Sequence, residues 1–177
     1  MISNLPNILS FLRIAFVGVF IYFFIQNMLM WALFIFVLAA FTDFLDGFIA
    51  RKYNLITDLG KFLDPLADKL MLITALICLY SRNMLPFWVL VIVIAKEIIM
   101  ITVGIFFYSK NFIIYSKIFG KLATFFFNIA VLLTFFKDKL YPLNEIVLFI
   151  AVALAILAMI QYGKDFVLKY NKSVKVK

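Results

Sequence analysis

The sequence predicts an all-α polytopic membrane protein: a bundle of six transmembrane helices forming one domain over residues 1–177, with both termini cytoplasmic. Three observations carry that expectation. The chain is 67% hydrophobic and only 15% charged, too apolar for a soluble domain. Its apolar residues fall into six runs, at about 8–25, 31–50, 62–80, 86–108, 118–136 and 142–162. Each run approaches the roughly 20 residues that a helix needs to cross a bilayer. Finally, with six spans, thirteen of the seventeen basic residues fall on the side of the termini, and the positive-inside rule makes that side cytoplasmic.

Taken in order, a short polar lead ends at Pro6 and Asn7, where proline can open a helix. The first run carries Arg13 near its start. That arginine either snorkels to the headgroups or contacts a phosphate. It reads as a retained span and not as a cleavable signal, because it is long and lacks a small-residue cleavage pattern. An uncharged link, Gln26 to Met30, leads to the second run, whose last turns hold Asp43 and Asp46. Residues 51–61 form a connecting loop with Asn54, Thr57 and Asp58 as turn formers. In the third run Pro65 either occupies a first helical turn or bends the helix.

The fourth run contains the adjacent pair Lys96 and Glu97. Charges inside a span are costly and are candidates for function, or for ion pairing to another helix. They project about 100° apart, so they need not pair with each other. A more polar link, 109–117, leads to the fifth run, opened by Lys117, Gly120 and Lys121. Lysines spaced i,i+4 beside a glycine suit an anionic headgroup or acceptor, or plain membrane anchoring. Residues 137–141 read as a link, the sixth run follows, and the lysine-rich tail from Gly163 is expected to lie on the membrane surface or fray. There is no histidine, which excludes histidine acid–base chemistry and histidine metal sites. A lone Cys78 permits no intrachain disulfide and reads as a small packing residue.

The stretch from Asp43 to Lys69 concentrates the chemistry. It holds five of the nine acidic residues in a chain that is otherwise strongly apolar. Asp43 and Asp46 are spaced i,i+3, and Asp64 and Asp68 i,i+4, so each pair points to one side of its helix. Two such pairs facing each other would form an oxygen-rich cage suited to hard divalent cations, Mg²⁺ above all. Gly47 and Gly60 permit close approach of a ligand. Arg51, one turn beyond Gly47, suits a phosphate. Cations, arginine and glycines together point to a diphosphate-bearing substrate.

In this arrangement Asp43-x-x-Asp46-Gly47-x-x-Ala50-Arg51, eight residues, then Gly60-x-x-x-Asp64-x-x-x-Asp68 resembles the signature of the CDP-alcohol phosphotransferases, most closely the members that make phosphatidylglycerophosphate. The resemblance implies transfer of a phosphatidyl group from CDP-diacylglycerol to glycerol 3-phosphate, with release of CMP. It implies two Mg²⁺ or Mn²⁺ ions held by Asp43, Asp46, Asp64 and Asp68, with Asp68 as the catalytic base toward the acceptor hydroxyl. Pro6, Asn7, Gly47, Ala50, Arg51, Thr57 and Gly60 would contact the CDP-lipid. Lys117, Lys121 and Lys96 would bind the acceptor. It further implies a homodimer in the cell membrane among membrane lipids, with the site facing the cytoplasm; no nucleic-acid partner is expected. Relatives often read Gly-Lys-x-Lys-Thr where this chain has Gly120-Lys121-Leu122-Ala123-Thr124, so one acceptor lysine is absent.

Two competing readings remain open from sequence. Phosphatidylglycerol as acceptor would make the chain a CMP-forming cardiolipin synthase, some of which also read Gly-Lys-x-Ala-Thr. A cation transporter would use the same acids as an ion path. Against the transporter, the acids cluster at one membrane face, with no polar trail through the far half and no inverted repeat.

Overall fold

A computed structural model describes residues 5–53, 58–109 and 118–175. Every element among them is helical: α1 (Leu5–Ile25), α2 (Leu29–Tyr53), α3 (Asp58–Ser81), α4 (Phe87–Ser109), α5 (Ile118–Thr134), α6 (Lys137–Leu140) and α7 (Leu143–Lys175). The six long helices match the six apolar runs. The chain divides into two compact units, Met1–Asn83 and Met84–Lys177.

In the first unit α1 packs against both α2 and α3. The reason is a buried stripe on each helix. On α1 it runs Arg13, Phe20, Phe24; on α2 Ala32, Phe36, Ala39; on α3 Ala67, Met71, Ala75, Leu79. These recur at helical spacing, so each helix presents one continuous face. Phe20 stacks with Phe24 at 5.8 Å between ring centroids and tilts against Phe36 at 6.3 Å. Such ring pairs add about 0.5–1.5 kcal/mol to their area burial.

Asparagines end two of these helices. Asn27 and Asn83 take positive φ, 62° and 56°. Asparagine tolerates that left-handed conformation better than other non-glycine residues. After α1 the Asn27 and Met28 amides donate to the Phe24 and Phe23 carbonyls at 3.3 and 3.0 Å, which consumes carbonyls a helix end leaves open. Arg82 adds to this closure: its Nη2 donates to the Phe24 carbonyl at 2.7 Å and its guanidinium lies 4.7 Å from the Phe24 ring centroid. The end of α3 is therefore tied to the end of α1, and α2 runs antiparallel to both.

In the second unit α7 packs against α4 and α5. Small residues allow the approach. Ala151, Ala155 and Ala158 on α7 and Ala123 and Ala130 on α5 are almost fully buried. Val103, Ala158 and Tyr162 form a core cluster, flanked by Met100 and Phe166. At the helix starts Trp88 stacks on Phe149 at 5.9 Å.

Several sequence expectations need correction. Residues 137–140 are a short helix, α6, where a link is expected; the Lys139 and Leu140 amides donate to the Phe136 carbonyl. The chain does not end its last helix at Gly163. α7 continues to Lys175, and Phe166 beyond the glycine packs on Phe106 at 4.8 Å. α3 runs through position 65, well past its first turn.

Both units carry many exposed large apolar side chains, among them Phe11, Tyr22, Trp31, Phe34 and Phe41 in the first and Val91, Ile105, Phe125 and Ile160 in the second. That is the surface of helices meant for lipid. Phe87–Phe106 and Leu143–Leu168 are long and apolar enough to cross a membrane, and α1, α2 and α5 contribute shorter apolar stretches among the described residues.

Candidate functional site

The buried stripes of the first unit converge on charged groups at one end. Extending the α2 stripe from Ala32, Phe36 and Ala39 by one turn reaches Asp43. Extending the α3 stripe back from Met71 and Ala67 reaches Asp68 and Asp64. The α1 stripe starts at Arg13. The apolar core of three helices thus ends in an ionic cluster.

Arg13 is the residue that sequence reasoning placed least well. Only 1% exposed, it does not snorkel to a surface. Its Nη1 forms an ion pair with Asp43 Oδ1 at 2.7 Å and donates a longer hydrogen bond, 3.4 Å, to the Asp64 backbone carbonyl. One guanidinium nitrogen therefore joins all three helices. The signal for this was present: Arg13 lies seven residues before Phe20 and eleven before Phe24, on the face that α1 buries.

Asp43 is held but not covered, its side chain 46% exposed. Thr42, beside it, is buried and donates its hydroxyl back to the Ala39 carbonyl at 2.8 Å, so it does not compete for the carboxylate. The Asp64 carboxylate lies within electrostatic reach of Asp43. Asp64 and Asp68 are both half-buried on α3. The structure therefore brings Asp43 of α2 near Asp64 of α3, one acid from each of two successive helices.

Asp46, Gly47, Ala50 and Arg51 lie on the last turns of α2, and Gly60 on the first turn of α3. Pro6 and Asn7 lie on the first turn of α1. Given the antiparallel course of α2, all six backbone positions and Asp46 belong to the end where Arg13 meets Asp43. Their side chains lie outside the described residues, and Thr57 and Lys117 lie outside them altogether.

Among the described residues, no group of three or more His, Cys, Asp and Glu side chains closes around one point. A full cage therefore depends on Asp46. The donors present still suit one kind of guest. They are oxygen-only, partly open carboxylates at the end of an apolar bundle, a set that fits hard cations such as Mg²⁺ or Mn²⁺ over soft ones.

The second unit contains its own buried charges. Lys96 falls on the α4 stripe with Val89 and Val93 and is 1% exposed. Lys96 and Glu97 pair with each other, Nζ to Oε1 at 2.7 Å, although they are neighbours in sequence. Long side chains swing together across the 100° between them where no water competes. Lys96 Nζ also donates to Thr124 Oγ1 on α5 at 3.5 Å, and Thr124 donates to the Gly120 carbonyl at 3.1 Å. Lys121, by contrast, is exposed. Gly120 is buried, with Tyr162 3.7 Å from where a Cβ would sit.

Comparison with known proteins finds relatives over most of the chain. A family profile described as CDP-alcohol phosphatidyltransferase matches residues 3–157. The chain is 36% identical over 171 residues to the CDP-diacylglycerol–glycerol-3-phosphate 3-phosphatidyltransferase of Rickettsia bellii, covering 92% of this chain and 94% of that one. It is 32% identical over 133 residues to the Bacillus subtilis protein of the same name, covering 72% and 69%. It is also 36% identical to the CMP-forming cardiolipin synthase of Streptomyces coelicolor, over a shorter 111 residues, 59% of this chain and 52% of that one.

Proposed function

The chain belongs to the CDP-alcohol phosphatidyltransferase family, and from that premise we propose that it transfers a phosphatidyl group from CDP-diacylglycerol to glycerol 3-phosphate, giving phosphatidylglycerophosphate and CMP. The observation that carries this reading is the joining of Asp43 and Asp64 by Arg13 at the end of a lipid-facing bundle. Glycerol 3-phosphate is preferred to phosphatidylglycerol as acceptor because relatives named for the former align over nearly the whole chain, and the cardiolipin synthase over little more than half.

The family is generally dependent on divalent metal. Asp43, Asp46, Asp64 and Asp68 would hold two Mg²⁺ or Mn²⁺ ions. Ions held there would supply positive charge to neutralise a diphosphate and to offset the negative charge on departing CMP. Arg51 supplies a fixed positive charge for the diphosphate, and Gly47, Ala50 and Gly60 leave room for it. Pro6, Asn7 and Thr57 are assigned to the nucleotide end of the donor. Asp68 orients the acceptor hydroxyl and takes its proton as the acceptor oxygen bonds to the lipid-bearing phosphorus and the bond from that phosphorus to CMP breaks.

The acceptor phosphate needs cations. Exposed Lys121 is the strongest assignment, joined by Lys117 on sequence. Lys96 is already engaged with Glu97, so its part is to support α4 against α5.

The protein spans the membrane six times, once through each of α1–α5 and α7, with both termini and the aspartates at the cytoplasmic face, where basic residues concentrate. α7 has 33 residues. At 1.5 Å per residue that is about 50 Å, longer than a hydrocarbon core of about 30 Å, so its lysine-bearing end projects toward anionic headgroups. A homodimer in the membrane completes the proposal.

The test is CMP release by the purified protein with Mg²⁺, CDP-diacylglycerol and a panel of acceptors. Release with glycerol 3-phosphate alone is expected. Release with phosphatidylglycerol instead identifies a cardiolipin synthase, and silence with every acceptor ends the enzymatic reading.

A further inference from the structure

Arginine buried to 1% exposure is uncommon unless its charge is used. Here it is used across helix boundaries. Arg13 Nη1 reaches Asp43 of α2 at 2.7 Å and the backbone of Asp64 of α3 at 3.4 Å, from the third turn of α1. We propose that Arg13 is a positioning residue for the aspartate cluster: it fixes the orientation of the Asp43 carboxylate and the register of α3 at Asp64, and thereby sets the affinity of the cluster for divalent cations.

Two features favour positioning over simple charge pairing. The pair is lopsided, with the guanidinium side chain 2% exposed and the carboxylate 46% exposed. A purely structural ion pair in an apolar bundle would bury both members; this one leaves the acid accessible to a ligand. Asp64 also adds a second negative charge within electrostatic reach of Asp43. Two carboxylates within electrostatic reach of each other repel. Arg13 offsets that repulsion before any ion arrives, so the carboxylates stand ready at less reorganisation cost. Groups that hold a metal ligand in place commonly contribute ten- to a hundred-fold in metal affinity.

This inference rests on the divalent-cation reading of the aspartates, and the experiment separates the two. Full-length wild-type, Arg13→Gln and Arg13→Lys proteins are purified in detergent. Mn²⁺ binding is followed by the loss of the free-ion electron paramagnetic resonance signal, normalised to the monodisperse folded fraction. CMP release is titrated with Mn²⁺ in parallel.

Arg13→Gln should bind Mn²⁺ about ten- to a hundred-fold more weakly, and the Mn²⁺ needed for half-maximal CMP release should rise by the same factor. Arg13→Lys keeps the charge without the planar fork and should fall between Gln and wild type. Unchanged or tighter Mn²⁺ binding per folded molecule in Arg13→Gln overturns the proposal, leaving Arg13 as a packing residue or a competitor of the ion. If Arg13→Gln does not fold, Arg13→Lys decides alone: weakened binding supports positioning, and wild-type affinity overturns it. A wild-type protein that neither binds Mn²⁺ nor releases CMP ends both readings.

Discussion

Breaking the Lys96–Glu97 pair should be among the most damaging single changes in the second unit. Both partners are buried, the side chains 1% and 8% exposed, with 2.7 Å between Nζ and Oε1. Lys96→Met takes the ammonium from beside the buried Glu97 carboxylate, and Glu97→Gln takes the carboxylate charge from beside the buried Lys96 ammonium. Either should cost about 3–5 kcal/mol, the range for orphaning one member of a buried pair. For a chain of this size about 1 kcal/mol moves the melting temperature by 2–4 °C, so each single variant should melt about 6–20 °C lower. The double variant Lys96→Met with Glu97→Gln removes both charges, keeps the approximate volume, and should recover most of the loss. The assay is thermal unfolding of the detergent-solubilised protein, with KM for glycerol 3-phosphate measured on the double variant. Small single effects that simply add would show that water reaches the pair. A stable double variant with KM raised tenfold would show that Lys96 touches the acceptor after all.

Further outcomes follow from the same geometry. Asp64→Asn should abolish CMP release while the protein still enters the membrane, checked by fractionation; retained turnover would remove Asp64 from the metal site. Lys121→Ala should raise KM for glycerol 3-phosphate several-fold more than KM for CDP-diacylglycerol, and an equal rise in both would make Lys121 an anchor only. Ala158→Leu should destabilise by about 1–3 kcal/mol, because the residue is fully buried beside Tyr162 where α7 meets Val103 of α4, read out as a lower melting temperature. Gly120→Ala should be neutral or stabilising by up to about 1 kcal/mol, since a Cβ there meets Tyr162 at an ordinary 3.7 Å. Lost activity in a stabilised Gly120→Ala would mean that the glycine makes room for substrate.

Much of this molecule was legible in the chain because bilayer-length apolar runs leave few alternatives to helix. The long helices start within a few residues of the runs, all but α7 stop within a few residues of them, and Asn27 and Asn83 close two of them where the links were expected. Helical spacing alone puts Asp43 and Asp46, and Asp64 and Asp68, at positions that share a helix face. What was hidden depended on tertiary contacts. α6 is too short for a periodic signal, and α7 outlasts Gly163 because Phe166 finds Phe106. Arg13 sits 51 residues from Asp64, so no local pattern could connect them. Only the continuation of its stripe through Phe20 and Phe24 hinted that it faced inward. Lys96 and Glu97 looked divergent on a helical projection, but side-chain length overcame the angle.

The central claim is that the end of the first three helices, where Arg13 meets Asp43, holds divalent ions between the acids of α2 and α3. Anomalous diffraction from crystals of the full-length protein soaked in Mn²⁺ tests it most directly. Manganese peaks should appear among Asp43, Asp46, Asp64 and Asp68, and disappear in Asp64→Asn crystals. Manganese bound elsewhere, in an enzyme that still releases CMP, would contradict it.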